Sequence, residues 1–432
     1  MDILLYILGI VAVIFGIALS IGLHELGHYL PAKKFGIRVK QFMVGFGPTV
    51  KSWRRGETEF GFKAIPLGGY ILMTGMYPPE KKPYRGLFSK WINEARAAER
   101  EDILDSDKGR QFYELAPYKK LIIMLGGPFM NFLLGLLLIA IALSGIGTMQ
   151  QGLTVEKVYQ CVDVAEDGSC PTDSPLSPAA LAGIEPGDTV TEVNGEPVVS
   201  WPEVIAGFNK NLGQSSQLMV TRNGVATSLT VTPVFLERPL YTSDGQVLLN
   251  DEGVPQTEFK PLLGIRLEPV AVPMSLQDSL NYGLNATGAT FGFIITLPQQ
   301  VWAVTSSTFG FAERDPNGAV SIVGVGQLAG ELSQSELPLS SKIASLLMLL
   351  GALNLALFAF NLIPLLPLDG GHVLGAVYES LKRRFGRVVL KKDPGPIDTA
   401  RTLPIAYGVW LVLIFVGLLL IMADIVNPIT LG

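Results

Sequence analysis

Histidine is scarce in this sequence: only three of its 432 residues are histidines. A zinc transporter or a metal sensor would need more ligands along a path, so this scarcity argues against both classes. The sequence also lacks a basic patch interleaved with aromatic residues, and it therefore gives no indication of a nucleic-acid partner. The formal net charge of −5 adds nothing to that question.

Charge is absent from the first apolar run, Ile3 to Leu23. No basic segment precedes this run and no small-residue cleavage site follows it, so it predicts a spanning helix rather than a signal peptide. Three further runs have a similar length: Leu121 to Ile146, Ile343 to Leu368 and Leu403 to Ile425. With 48% hydrophobic residues, the chain is predicted to be a polytopic α-helical membrane protein with four transmembrane helices.

Basic residues are distributed unevenly between the segments that join these runs. Residues 29–120 carry 18 Lys and Arg, residues 150–342 carry 8, and residues 378–403 carry 7. Since basic loops stay on the cytoplasmic side, 29–120 and 378–403 are predicted to be cytoplasmic. The N-terminus and residues 150–342 are then extracytoplasmic. The chain is expected to be a multi-pass membrane protein in this orientation.

Two of the three histidines belong to an H-E-x-x-H motif, in which His24, Glu25 and His28 follow the first apolar run directly. On a helix, positions i and i+4 share a face, so the two imidazoles can bind one metal ion. Glu25 could serve as the general base toward a water at that metal. The alternative is a structural histidine pair at the membrane edge, but it leaves the charge of Glu25 unexplained.

A second polar group lies in the third apolar run, in the sequence from Asn361 to His372. Pro364 and Pro367 are predicted to bend the chain there. Asp369 is a carboxylate close to membrane depth, and a catalytic zinc site typically uses three protein ligands, so Asp369 is predicted to join the two histidines. A helix-end carboxylate without a metal is the alternative. His372 is interpreted as an interfacial histidine rather than a fourth ligand.

The predicted segments follow one another in a simple order. Residues 36–80 alternate short β-prone runs with turns and predict about four short strands against the membrane. The open edge of this sheet could receive an extended substrate, and a purely structural sheet that plugs the helix bundle is the alternative. In chain order the segments are a first transmembrane helix with H-E-x-x-H (1–35), the membrane-associated β-sheet (36–80), a cytoplasmic amphipathic segment (81–120), a second transmembrane helix (121–149), an extracytoplasmic domain (150–272), an interfacial helix and linker (273–342), a third transmembrane helix with N-x-x-P-x-x-P-L-D-G-G (343–377), a cytoplasmic loop (378–402) and a fourth transmembrane helix (403–432).

Two predictions in this order each leave an alternative open. Residues 276–310 are apolar but contain Asn, Thr and Gln and are interrupted by Pro298, which favours an interfacial helix over a fifth span. Cys161 and Cys170 are the only cysteines. In an oxidising compartment they could close a small disulfide loop, and two free thiols are the alternative.

Residues 150–272 resemble a PDZ domain of bacterial proteases. The resemblance lies in the A-G-I-x-P-G-D sequence from Ala182 to Asp188 and the V-N-G sequence that follows it from Val193. It implies an α/β domain that binds extended chain ends by strand addition. Two insertions depart from a minimal PDZ domain: the cysteine-bearing loop, and residues 238–260 with turns at Asp244-Gly245 and Glu252-Gly253.

The two motifs and the domain between them resemble the site-two protease family of intramembrane zinc metalloproteases, in its bacterial branch with one PDZ domain. The resemblance covers nearly the whole chain. It implies that His24, His28 and Asp369 bind Zn²⁺, that Glu25 is the catalytic base and that Asn361 contacts the substrate. It also implies cleavage of single-span membrane proteins, such as anti-sigma factors, in regulated intramembrane proteolysis. The alternative is a membrane-anchored PDZ adaptor with a non-catalytic metal site.

Overall fold

The chain forms two compact units in a computed structural model. One unit comprises residues 1–147 and 273–432, and the other comprises residues 148–272. The insertion begins within two residues of the predicted boundary and ends at it. The structure describes residues 2–79, 84–86, 88–101, 103–163, 170–171, 174–211, 213–240, 247–248, 250, 254–316 and 318–429.

Helices dominate the first unit and strands the second. The helices are α1 (Asp2–Lys34), α2 (Ser89–Glu101), α3 (Pro117–Ala140, continued by a π-helical stretch Ile141–Ile146), α4 (Pro178–Ala182), α5 (Trp201–Asn209), α6 (Leu276–Ile295), α7 (Leu297–Thr308), α8 (Ile322–Gln334), α9 (Leu339–Asn361), α10 (Asp369–Val388) and α11 (Leu403–Val426). The strands are β1 (Val39–Arg55), β2 (Thr58–Met73), β3 (Thr148–Val158), β4 (Thr189–Val193), β5 (Glu196–Pro197), β6 (Ser216–Arg222), β7 (Val225–Val231), β8 (Val234–Pro239), β9 (Thr257–Leu262) and β10 (Ile265–Val272).

The apolar runs form the predicted helices. Within the described residues, four helices are long and apolar enough to cross a membrane: Ile3–Lys34, Pro117–Ile146, Leu339–Asn361 and Thr399–Val426. The expected class of polytopic α-helical membrane protein is confirmed. Large apolar side chains on these helices are exposed, as expected for a surface whose solvent is lipid.

The third span is shorter than predicted. The expected helix over 343–377 ends at Asn361, and residues 362–368 form a non-helical connection before α10 begins at Asp369. Pro364 and Pro367 lie in that connection and cannot donate the backbone bonds that a continuous helix needs. The expected cytoplasmic loop over 378–402 begins within α10, which continues to Val388, and its cytoplasmic placement stays a prediction.

The α1–α3 crossing brings two backbones into contact. A Cβ at Gly27 would lie 2.2 Å from the carbonyl oxygen of Gly126, and a Cβ at Gly126 would lie 2.1 Å from that of Gly27. No side chain fits at either position. The two glycines of the Gly-Gly-Pro sequence, Gly126 and Gly127, therefore allow α3 to approach α1 closely.

The membrane-associated sheet is built from two long strands, each of which folds into two segments, so that four short antiparallel segments lie side by side as predicted, in the order 51–55, 58–62, 41–44 and 69–72. Residues 41–44 of β1 have partners in both 69–72 and 59–62 of β2, and residues 51–55 pair with 58–62. The two strands therefore bend and shift register so that they form several short paired segments. Segment 69–72 has a strand partner on one side only among the residues described here.

The segment after the insertion forms three helices. The helix α6 packs on α3 and α9, with Gly283 beside Leu136 and the Phe291 ring 6.0 Å from that of Phe358. It is not among the four candidate spans of the described chain, so its interfacial placement stays a prediction. In the amphipathic segment, α2 leaves Trp91 exposed and buries Ile92 in the protein.

The inserted unit has a sheet in the order β10-β3-β4-β6-β7, with β5 paired to β4 and a separate β8–β9 hairpin. The sheet and the helix α5 enclose a core that includes Val190, Val204, Phe208 and Leu218. Cys161 and Cys170 form a disulfide, with their Cα atoms 5.8 Å apart, so the question left open by their spacing is answered. The turns expected at Asp244-Gly245 and Glu252-Gly253 lie outside the described residues.

Candidate metal centre

The H-E-x-x-H motif lies on the last turns of α1, where the chain is still helical. His24 and His28 are buried on one face of that helix, and their Nε2 atoms are 3.2 Å apart. The i,i+4 spacing therefore places both imidazoles on one helix face, as predicted. Helix continuity through this polar stretch fixes both rings relative to one backbone.

A contact from α3 orients His28. Its Nδ1 atom lies 2.7 Å from the carbonyl oxygen of Ile123, so the Nδ1–H donates to that carbonyl and Nε2 keeps its lone pair. The α3 backbone passes directly beside the ring, because a Cβ at Gly127 would lie 2.2 Å from His28 Nε2. The second apolar run thus supplies an outer contact that sequence reasoning did not assign.

Asp369 reaches the same point from α10, of which it is the first residue. Its Oδ2 atom lies 3.2 Å from His24 Nε2 and 3.3 Å from His28 Nε2. Within the described chain, that oxygen has no hydrogen-bond partner. Three lone-pair atoms therefore lie 3.2–3.3 Å from one another. Each of them would be better solvated if it were exposed to water away from the other two.

The spacing of these three atoms fits a zinc ion. Ligand atoms bound tetrahedrally at ~2.0–2.1 Å are separated by roughly 3.3 Å, close to the three separations observed. Two imidazoles and one carboxylate are also a donor set that catalytic zinc uses. His24, His28 and Asp369 form a group able to hold a metal ion among the described residues.

A cavity of about 370 Å³ opens beside this group. Glu25 and Asn361 line it together with the three candidate ligands, so the structure brings every predicted site residue to one place. The end of β2 lies close by, since a Cβ at Gly69 would be 3.0 Å from Glu25 Cγ. Asn361 is the last residue of α9 and stands where helical hydrogen bonding stops.

Two other polar residues in the cavity differ from their expected placement. His372 lines the cavity rather than an outer interface, but it is not part of the three-residue metal group. Asn131 of α3 also lines the cavity, and the sequence analysis assigned it no role. It is 1% exposed, and its Oδ1 atom has no hydrogen-bond partner among the described residues. Its position four residues after Gly127, on the same helix face, was the available signal.

Comparison with known proteins decides the family. Residues 12–392 match the family described as "Peptidase family M50". The chain belongs to peptidase family M50. This M50 peptidase is 32% identical to zinc metalloprotease Rip1 of Mycobacterium bovis (strain BCG / Pasteur 1173P2), over 99% of this chain and 100% of the relative. The expectation of the site-two protease family is confirmed.

More distant relatives bear names of the same kind. Metalloprotease MmpA of Caulobacter vibrioides is 26% identical over 88% of this chain and 88% of the relative. Zinc metalloprotease RasP of Oceanobacillus iheyensis is 26% identical over 85% of this chain and 89% of the relative. The M50 peptidase is a zinc metalloprotease with a multi-pass membrane architecture, which confirms the expected enzyme class and the expected Zn²⁺ cofactor.

Proposed function

We propose that this M50 peptidase hydrolyses a peptide bond within or next to the transmembrane segment of single-span membrane proteins. We also propose that His24, His28 and Asp369 hold its zinc ion. The observation that carries the proposal is the convergence of three lone-pair atoms at 3.2–3.3 Å, with Asp369 Oδ2 otherwise unpaired, at the end of a membrane span.

Each residue has a distinct chemical part in this reaction. A zinc ion held by His24, His28 and Asp369 would supply Lewis acidity toward the scissile carbonyl and would lower the pKa of a water bound to it. Glu25 accepts the proton of the attacking water and delivers it to the leaving amine. The Ile123 carbonyl keeps the His28 tautomer that leaves Nε2 free to bind metal.

The free edge of β2 gives the substrate a place to bind as a strand. A spanning helix hides its carbonyls in backbone hydrogen bonds, so the substrate must unwind before cleavage. Segment 69–72 lies in the cavity wall next to Glu25, with one side unpaired in the described structure. Asn361, at the end of α9, and Asn131, on α3, also line the cavity and offer their side-chain amides to the strand. Helix-breaking residues in the substrate should raise cleavage, and an unchanged rate would argue against this docking.

The inserted unit is proposed to be an extracytoplasmic PDZ domain of a bacterial cytoplasmic membrane protein. Its strand order and two helices support the domain type, and the Cys161–Cys170 disulfide supports an oxidising compartment. The domain would exclude substrates that another protease has not yet trimmed. Deletion of residues 151–270 should then loosen selectivity between trimmed and untrimmed substrate. Unchanged selectivity would contradict that part of the proposal.

The substrates are proposed to be single-span proteins of the anti-sigma factor type, cleaved in regulated intramembrane proteolysis. The support for this class is the resemblance of the whole chain to site-two proteases with one PDZ domain. A membrane-anchored adaptor with a non-catalytic metal site is the alternative function. Glu25 discriminates between them, because an adaptor has no use for a buried carboxylate beside the metal ligands.

The experiment that tests the function is cleavage of a tagged single-span protein co-reconstituted with wild-type enzyme and with Glu25→Gln. Loss of a general base should lower the cleavage rate at least 100-fold. Zinc content should stay equal, since Glu25 is outside the ligand group. Glu94→Gln, an exposed position on α2, is the matched control and should cleave like wild type.

The outcomes separate the two functions. Cleavage by wild type alone, at equal zinc content, supports the protease and the role of Glu25. Equal cleavage by wild type and Glu25→Gln would falsify that role. If neither protein cleaves a trimmed substrate, the adaptor function is favoured.

A further inference from the structure

The helix α10 has an apolar stripe that nothing in the described protein covers. Leu374, Tyr378, Leu381, Phe385 and Val388 recur at spacings of four and three residues and so share one helix face. They are 51%, 57%, 62%, 61% and 72% exposed, respectively. The opposite face, with Ala376, Glu379 and Gly386, is the buried one. The helix is therefore amphipathic, with its apolar side outward.

Cations flank the stripe on both sides. At 100° per residue, Lys382 and Arg384 lie roughly 80° to either side of its centre. Lys391 and Lys392 follow the helix end and are exposed. In the described part of the chain, no carboxylate pairs with any of these four, whereas Arg383 and Arg387 both bind Asp393, at 3.0 and 2.9 Å.

A return loop keeps the last two lysines near the helix. The Lys392 N–H donates to the Gly386 carbonyl at 3.1 Å, and Asp393 is held by the two arginines. The six basic residues thus divide into two that fix the loop and four that remain available. An apolar stripe bordered by available cations is the pattern of a helix that lies at a membrane surface.

The depth of this region is set by a buried ion pair. Lys120 Nζ lies 2.8 Å from Glu379 Oε2, which places Glu379 beside the first turn of the span Pro117–Ile146. Residues of α10 beyond Glu379 therefore lie at or past the end of that span. This is the level of lipid headgroups rather than of acyl chains.

We propose that Lys382, Arg384, Lys391 and Lys392 form a binding site for the anionic headgroups of phospholipids, with Leu381, Phe385 and Val388 inserted beneath them. The partner is the leaflet at the Lys120 end of α3, which the proposed orientation makes the cytoplasmic one. Charge complementarity argues for this occupant, because four unpaired cations beside an apolar stripe match a phosphate above an acyl chain. The proposal does not depend on catalysis.

The test is lipid selectivity of the full-length protein. Purified enzyme in neutral detergent is given equal amounts of phosphatidylglycerol and phosphatidylcholine of one chain length, and retained lipids are counted by native mass spectrometry. The variant Lys382→Gln/Arg384→Gln/Lys391→Gln/Lys392→Gln should lose preference for phosphatidylglycerol at least tenfold, since each cation near an anionic surface contributes about fivefold. Equal zinc content and thermal unfolding show that the variant is folded.

The matched control carries the same change of charge elsewhere. Lys157→Gln/Lys210→Gln/Lys260→Gln/Arg266→Gln alters four exposed cations of the inserted unit and should keep the wild-type preference. An unchanged preference in the α10 variant, or an equal loss in the control, overturns the proposal. Inorganic phosphate at constant ionic strength should not compete; competition would show a site for free phosphate and would also overturn it.

The stripe is tested separately. Leu381→Gln/Phe385→Gln keeps every charge and should reduce retention of phosphatidylglycerol severalfold, because the acyl chain loses its contact surface. Unaltered retention in this variant, together with capture of an acidic protein by the wild type, would show that the partner is a protein and not a lipid.

Discussion

Asp369 and Asp424 are both carboxylates within the helical bundle, and their surroundings differ. Asp424 is fully buried, and it accepts hydrogen bonds from Arg314 at 2.7 Å and from the Ser321 N–H at 2.6 Å. Asp369 Oδ2 faces two imidazole nitrogens and has no hydrogen-bond partner in the described chain. One carboxylate is neutralised by the protein itself, and the other is prepared for a cation.

This difference separates structural charges from functional ones. A buried carboxylate requires compensation, and an arginine with backbone N–H groups supplies it permanently. Arg314 also donates to the Ala319 carbonyl at 2.9 Å, so the Asp424 cluster fixes the segment before α8 to α11. Asp369 lacks such a partner, and its compensation must come from a bound ion. A carboxylate at membrane depth therefore does not by itself identify an active site. A carboxylate oxygen there that lacks a hydrogen-bond donor does.

The largest expected effect comes from replacing either Asp369 or Asp424 with alanine. Asp369→Ala should lose zinc and lower cleavage at least 1,000-fold while the fold is kept, because it removes a proposed ligand and leaves no buried cation unpaired. Asp424→Ala should keep zinc but lose about 3–5 kcal/mol of unfolding free energy, since Arg314 stays buried without its partner. Zinc analysis after gel filtration measures the metal content of each variant, and thermal unfolding measures its stability. Equal zinc loss in the two variants would contradict the distinction between a metal-binding carboxylate at Asp369 and a structural one at Asp424.

An intermediate effect is expected at Gly127. Its Cβ in Gly127→Ala would lie 2.2 Å from His28 Nε2, so the ring must turn away from its contact with the Ile123 carbonyl. Zinc affinity should fall 10- to 100-fold, as is typical when an outer contact of a metal ligand is lost. Competition with a fluorescent chelator measures it. Gly145→Ala is the control, because the nearest atom to its Cβ lies 3.9 Å away, and it should bind zinc like wild type.

The smallest effect concerns a paired carboxylate outside the bundle, Asp188. Arg222 donates to both of its oxygens at 2.7 Å and lowers the pKa of Asp188 below its usual range. Because the carboxyl has the lower pKa in the folded state, the pair stabilises the inserted unit above a pH of about 4. That stabilisation is lost as the pH falls through the folded pKa.

The fluorescence of Trp201 reports this pH dependence when the other four tryptophans are changed to phenylalanine. Thermal unfolding of the inserted unit should shift down as the pH falls below about 4 in that background, and Asp188→Asn should remove most of the shift. A shift of the same size in the Asp188→Asn protein would mean that other groups are responsible.

The site was more predictable from the sequence than the fold around it. Helical spacing places His24 and His28 on one face whatever the tertiary structure, and a carboxylate at membrane depth required a partner. The apolar run continues through 362–368, so its length does not show where the helix ends, and only Pro364 and Pro367 mark an interruption there. Pro364 and Pro367 were interpreted as a bend, and in the structure the helix stops before them.

The four short strand segments of residues 39–73 were predictable, whereas their connection into two continuous strands was not. The GFGP sequence at residues 45–48 and the PLGG sequence at residues 66–69 are two of the turns that separate the predicted short strands. Gly45, Gly47 and Gly68 do have positive φ, at 98°, 84° and 134°, but they lie inside β1 and β2. Positive φ serves strand irregularities as well as turns, and only the register distinguishes the two. Contacts of Asn131 and Gly127 with the site also depend on how α3 crosses α1, which no local pattern encodes.

The separation of the metal-binding residues along the chain has a consequence for how the enzyme is made. About 340 residues lie between His28 and Asp369. At bacterial elongation rates, this distance corresponds to roughly 20–70 s of translation. A nascent chain in the membrane therefore carries two of its three zinc ligands for that interval, next to newly inserted helices of its own and of other proteins. The full donor set assembles only when nearly the whole chain has been synthesised, so proteolytic competence is acquired at the end of synthesis.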